Sequence, residues 1–507
     1  MKKYIAFISL GLFSWAHAQT PASAPYTPSW QARHQLQLLV DHAGLDLPLT
    51  HWPLPAAAVA QAIAELPSDL SSSVVDLHEA RAAVLKELEQ REQQANVRLQ
   101  VRNRAEGLTG FDENYTPGSS AQLVSEEKRK ELGSVSVAGR LGLRVENASN
   151  ALQSAFSSGS TAESRYPVRL EGSAAVLGWE GWNFQAFSHR HWWGPGWQSS
   201  LINGSNVPAW NGFGVQRGTV KPSDSPWLNW MGPWNLDVFV ARAQDPVVVT
   251  NQSSGYLFSG ARLTMRPQPW LEVGLSRGLQ TAGAGRPSGL NEFVKAFFGQ
   301  QTNKDAADAF QDSSNQIAGY DVRLRCPQAL GPCALYTQWM GEDSAGKYPP
   351  LPYRFMKLFG AETSYGQGQY RVFAEYSDTN VPRLMAAGTE PAYFNSYYPQ
   401  GYTNGGRWIG SAQGGGSKVT TLGWMDAQNQ RMVKLHVGKV LWSVGSGYPD
   451  VNSPHGNLKG MSASQTLKWQ GLTWTPEISW VRLSEGADVE ASKRNNVRLG
   501  VTVLMPL

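Results

Sequence analysis

Hydrophobic positions recur with two different periods along this chain, and the change falls near residue 97. From Pro28 to about Asn96 the spacing is helical. Ser29 sits where it can cap a helix that carries Leu36, Leu39 and Val40 on one face. Pro53 and Pro55 open a second segment, Ala56 to Leu66, with Val59, Ile63 and Leu66 at helical spacing. A third, Ser71 to Asn96, is rich in Ala, Leu, Glu, Lys and Gln and aligns Val74, Leu77, Val84, Leu85 and Leu88. Three such short amphipathic helices must pack on one another or on something larger, as an independent bundle or as a cap or plug.

From Val97 onward the period is two. Val135, Val137, Leu141, Leu143 and Val145 alternate with Ser134, Ser136, Arg140, Arg144 and Glu146. Similar alternation runs through Trp234–Val240, Val433–Val437 and Val497–Val503. Each run is about ten residues long, the length a tilted strand needs to cross a bilayer. Gly-, Pro-, Asn- and Ser-rich stretches such as Gly414-Gly415-Gly416-Ser417 separate them. About 410 residues follow the helical part, and at roughly 20 to 25 residues per strand they supply about 16 to 20 strands; bacterial barrels use even numbers, so 18 is expected. The fold class is therefore mainly β: an 18-stranded antiparallel transmembrane β-barrel with a small N-terminal α-helical bundle. The expected boundaries are 1–18, 19–96 and 97–507.

Residues 1–18 read as a secretory signal. Lys2 and Lys3 form its charged start, Tyr4 to Trp15 its apolar stretch and Ala16-His17-Ala18 its cleavage pattern. Composition agrees with an envelope protein. Charged residues are only 17%, below the quarter typical of soluble domains, while 51 glycines and 20 tryptophans fit a barrel with aromatic girdles. Net charge is +4, or +2 once Lys2 and Lys3 are dropped, too small to argue for nucleic acid. In an oxidising compartment Cys326 and Cys333 are expected to form a disulfide across a hairpin turn; no metal and no cofactor are expected.

Arg140, Arg144, Arg262, Arg323, Arg325, Arg371 and Arg498 fall on the polar faces of the alternating runs. Charge on a lipid face costs several kcal/mol near the midplane, so these side chains should point inward. Two readings follow: an internal ladder of Arg with Glu and Asp, or a basic lumen that attracts an acidic polymer. The chain's densest aromatic motif, Arg190-His191-Trp192-Trp193-Gly194-Pro195-Gly196-Trp197, is equally open. It suits a membrane boundary, a sugar-stacking platform or a packed turn.

Several ordered segments resemble the Wzi family of capsule assembly proteins: His51-Trp52-Pro53-Leu54, Trp192-Trp193-Gly194-Pro195-Gly196 with Ser200-Leu201-Ile202, Trp230-Met231-Gly232-Pro233-Trp234, Gly285-Arg286-Pro287, the run Asn315 to Asp321, and Gln338 to Asp343. The resemblance implies a bacterial outer-membrane barrel of 18 strands, with the helices at its periplasmic end and outer loops folded over the pore. It implies a lectin that holds exported capsular polysaccharide, with outer-membrane lipid around it and capsule export machinery as a further partner; a monomer is expected. The Cys326/Cys333 pair and the long polar loops around Thr379 to Ser417 depart from the family pattern.

By position in outer loops, the candidate glycan contacts are His191, Trp192, Trp193, Trp197, Glu342, Asp343, Lys347, Tyr348, Tyr397, Tyr398, Tyr402, Arg407 and Trp408. Aromatic rings would stack on sugars and cations would bind polymer carboxylates. A substrate-selective porin is the alternative reading. An enzyme is not expected: Glu342 and Asp343 are adjacent rather than opposed across a bond, and His189 and His191 have no third metal ligand near them in sequence.

Overall fold

The computed structural model describes residues 20–70, 72–103, 108–113, 118–147, 168–243, 255–283, 288–297, 314–342, 344–345, 351–383, 387–395, 398, 401–405, 407–441, 455–484 and 495–507. The expected signal segment lies outside them.

Three helices come first: α1 (Trp30–His42), α2 (Ala56–Ala64) and α3 (Leu77–Gln93). The Ser29 side chain caps α1 by accepting from the Ala32 N–H, and Asp76 caps α3 by accepting from Glu79. The buried stripe of α3 is Leu77, Ala80, Val84 and Leu88. Val74 and Leu85, expected on that stripe, are exposed. Val74 precedes the cap, and Leu85 lies about 100° around the helix from Val84.

A single large antiparallel sheet follows. From Ala174–Trp179 onward each long strand pairs with the next, and the last, Asn495–Pro506, pairs with Asn96–Arg102, Pro506 opposite Asn96. Ser119–Val124 then pairs with both Asn96–Arg102 and Gly142–Asn147, while Val135–Arg140 pairs with Lys128–Leu132 and Ala174–Trp179. Short turns such as those at Gly133, Gly181 and Gly471 join strands at one end of the sheet, where the helices also enter. The connections at the other end are long.

The two faces of the sheet invert the usual soluble pattern. Leu99, Leu143, Leu177, Phe213, Leu335, Leu422, Leu435 and Leu499 point outward and exposed. Their polar neighbours Gln100, Arg144, Gln185, Asp237, Arg262, Gln338, Glu375, Thr421 and Arg498 are buried on the inner face. An apolar exterior around a polar interior is the polarity a bilayer demands. Among the described residues no helix is long and apolar enough to cross a membrane.

Candidate functional site

The inner face is occupied. The segment from Leu45 to Pro55, helix α1, the inward-folded connection 190–209 and the described residues of the connection 379–417 fill the space between the walls and share one buried core.

The wall arginines receive the end of α1. The last carbonyls of a helix have no partner within it. Here Arg266 donates to Val40 O at 3.0 Å and to Leu45 O at 2.8 Å, and Arg325 donates to Asp41 O. Arg323 holds the Asp41 carboxylate with both terminal nitrogens, at 2.9 and 2.6 Å, and donates to Glu362. Cations at this pole also match the negative end of the helix dipole. Farther along, Glu272 accepts from Leu49 N, Thr50 N and Thr50 Oγ1, each at 2.8 Å. Arg262 grips Asp321 with two nitrogens, at 2.7 and 3.0 Å, and donates to Thr50 O at 2.7 Å. The helical segment is thus a plug tied into the wall.

His34, on α1, donates from Nε2 to Gly368 O at 2.6 Å and accepts from Arg371 Nε at 2.7 Å. Burial and the Arg371 charge push its imidazole down to about 3, so it is neutral.

The tryptophan motif also meets α1. Trp192–Trp193 forms a short antiparallel pair with His51–Trp52. Gly194 takes a positive φ of 139°, and a Cβ on Gly196 would lie 2.2 Å from Ser199 O, so both turn positions need glycine. The bend exposes two carbonyls, which Arg33 of α1 collects: Pro195 O at 2.7 Å and Gly196 O at 2.9 Å. The same guanidinium lies 4.2 Å from the Trp197 ring and 4.3 Å from the Phe111 ring. Trp197 Nε1 donates to Glu362 at 2.6 Å, and its backbone N–H to Glu375 at 2.9 Å.

The second connection packs on the first. Tyr393 OH donates to Leu201 O at 2.8 Å, Tyr402 OH to Ile202 O at 3.0 Å, and Arg407 to Asn206 Oδ1 at 2.8 Å. Tyr398 OH donates to Ala282 O at 3.1 Å, and Glu342 accepts from the Tyr393 N–H.

The expected exposure of the glycan candidates is therefore corrected. His191, Trp192, Trp193, Trp197, Tyr398, Tyr402, Arg407 and Trp408 are all buried, each at most 4% exposed. They sit in loops as expected, but those loops turn inward and spend their rings on packing. Glu342 is half-buried at the edge; Asp343, Lys347, Tyr348 and Tyr397 lie outside the described residues. His191 and His51 approach one oxygen of the wall residue Asp237 at 3.4 and 3.5 Å. No group of three or more potential metal-ligating side chains able to hold an ion occurs among the described residues. Cys326 and Cys333 form the expected disulfide at a short-turn end.

Of the two readings of the inward arginines, the ladder is what forms: Arg144 with Glu146 and Glu171, Arg262 with Asp321, Arg371 with Glu362, and Arg498 with Glu477. Beside the plug a polar cavity of about 860 Å³ remains, bounded by α1, α3 and wall residues including Arg98, Arg140, Lys434 and Arg498. Arg33 and the Glu272 clamp were not foreseen; Glu272 carried only its inward strand position as a signal, and Arg33, on α1, carried none.

The model of the family described as "Capsule assembly protein Wzi" matches residues 89–437. The chain belongs to this family. A Klebsiella pneumoniae relative, an uncharacterised 55.8 kDa protein of the cps region, is 28% identical over 93% of this chain and 86% of its own length. Among solved structures, Escherichia coli Wzi, an outer-membrane protein involved in group 1 capsule assembly and described as a carbohydrate-binding β-barrel, aligns over 96% of this chain and all of its own, with TM-score 0.74 and 22% identity. That likeness shows a shared β-barrel fold. Pseudomonas aeruginosa OpdK, solved with vanillate, aligns over 82% of this chain and 99% of its own with a TM-score of only 0.42 and 12% identity.

Proposed function

We propose that this family member is a non-catalytic outer-membrane lectin that keeps exported capsular or other extracellular polysaccharide on the cell surface. The observation that carries the reading is the filled interior. A wall with an apolar exterior encloses a plug tied at both ends, by arginines to α1 and by tyrosines and Arg407 to the loops. Such an object offers a fixed polar surface to a polymer and, among the described residues, a largely filled interior. Family membership and the carbohydrate-binding description of the Escherichia coli homologue support the same ligand class.

The protein resides in the bacterial outer membrane. Its wall is a closed 18-stranded barrel when Ser119–Val124 with Lys128–Leu132, and Val135–Arg140 with Gly142–Asn147, each count as one crossing. The N-terminal helical segment enters the wall from the end read as periplasmic and plugs it with α1 and residues 45–55. Glu342, Asp343, Lys347, Tyr348 and Tyr397, candidates by their place in the sequence, are the proposed polymer contacts; the buried aromatics hold the frame of the plug. Individual contacts would be weak, and a repeating polymer on many copies would be held by avidity.

Capsule retention tests the reading. In a strain lacking the gene, polymer synthesis should continue while cell-bound polysaccharide moves to the supernatant. Unchanged cell-bound polysaccharide would overturn it.

A further inference from the structure

One helix lies outside the wall. α4 (Leu290–Phe297) belongs to the long connection between Leu271–Thr281 and Ser314–Arg325. Directly paired residues of an antiparallel sheet share a face. Phe258 stacks on buried Trp210 at 4.6 Å, and Gln280, its pair, donates to Gly401 O of the plug, so both face inward. The alternate row, Arg242, Leu257, Thr281 and Ser314, faces outward, as does the row of Val240, Ser259, Leu279 and Gln316.

In these outward rows Ser259, Leu279, Thr281 and Ser314 are nonetheless at most 5% exposed, whereas Leu275 and Leu335, outward elsewhere, are 45% and 55% exposed. The cover is α4. Arg277, also outward, donates to Ala296 O at 3.1 Å, Gln316 donates to the same carbonyl at 3.2 Å, and the Arg277 guanidinium lies 5.7 Å from the Phe297 ring. The helix presents Val294 away from the wall, and Leu290 at its start is exposed at the mouth of the space between helix and wall.

Between helix and wall runs an open apolar cleft of about 430 Å³, lined by Val240, Leu257, Thr281, Ala282, Leu290 and Phe293. Its volume lies within the range of small-molecule sites. It opens on the same face as the apolar belt, and half-buried Val238 and Leu263 continue that surface toward the opposite end of the strands. Exposed Arg242 stands in the same row as Leu257 and Thr281, at the strand end beside the cleft.

We propose that this cleft is a lipid site: one alkyl chain of an anionic lipid of the surrounding outer leaflet lies between α4 and the wall, with its phosphorylated headgroup at Arg242. An amphipathic helix with apolar residues on its outer side belongs at the lipid–water boundary, and a guanidinium pairs well with phosphate. The site would fix the barrel's height and rotation in its leaflet. It rests on the reading of the outward face as membrane-facing.

The test uses the delipidated full-length protein in detergent, hexa-acylated lipid A as probe, and native mass spectrometry as readout. The wild type should take up one lipid at the lowest concentrations. Val240→Trp, which fills the cleft, and Leu290→Asp, which puts a charge at a largely exposed position of its lining, should each weaken uptake about tenfold. Leu335→Trp, equally outward but away from the cleft, should bind as wild type. Arg242→Gln should weaken lipid A but not a phosphate-free glycolipid. Equal uptake by Leu290→Asp, Val240→Trp and Leu335→Trp would overturn the site. Insertion of the same proteins into phospholipid vesicles is scored separately: failure to insert defeats the membrane reading, whereas insertion with unaltered uptake defeats only the cleft.

Discussion

Arg262 shows how one side chain joins three parts of the molecule. Its two terminal nitrogens satisfy Asp321, two strands away across Leu271–Thr281, and Thr50 on the plug, in a fully buried site. Removing it strands a buried carboxylate. Arg262→Ala should destabilise the folded protein by about 3–5 kcal/mol, read as earlier loss of heat-modifiable gel mobility. His34 is the second sensitive residue. Its folded pKa, about 3, lies below the ordinary 6.5, so on unfolding at mildly acidic pH it gains a proton that the folded state excludes. Stability therefore falls by this contribution as pH drops from about 6.5 toward 3, and does not change above 6.5. Denaturant titrations across that range should show the slope, and His34→Gln should lessen it by one proton. An undiminished slope would assign the acid sensitivity elsewhere.

Among the elements, α1 and the tryptophan turn depend on each other. The helix leaves carbonyls unpaired at its end and the turn leaves carbonyls unpaired at its bend; wall arginines answer the first and Arg33 the second. The helices were legible because apolar residues recur at i, i+3 and i+4, with Ser29 in place to cap the first; the start of the third, capped by Asp76 rather than beginning at Ser71, was not. The strands were legible because Leu and Val alternate with polar residues. What those patterns could not reveal was the destination of the loops. Trp193 and Tyr402 read equally well as exposed platforms or as packing, since an aromatic ring in a glycine-rich loop carries no mark of which way the loop turns. The disulfide is a smaller matter. It links residues only seven apart, and a backbone bond from Cys326 N to Cys333 O already closes the turn. Cys326→Ser with Cys333→Ser should leave assembly intact and cost about 2 kcal/mol or less, measured by the same gel shift.

For the whole molecule, the contest between channel and anchor turns on the filled interior. Purified protein in a planar bilayer should give no large stable conductance steps. Steps of porin size would mean that the plug leaves its place and would restore the porin alternative. Fold class, the change of period near residue 97 and the inward sense of seven arginines were available from the sequence, because a bilayer imposes a strict alternation that any reader can count. The paired arginine ladder, the burial of the tryptophan motif and the outward helix α4 were decided only by tertiary structure. Each depends on contacts between residues far apart in the chain, such as Arg33 with Gly196 or Arg262 with Thr50, and local pattern specifies a residue's face without specifying its partner.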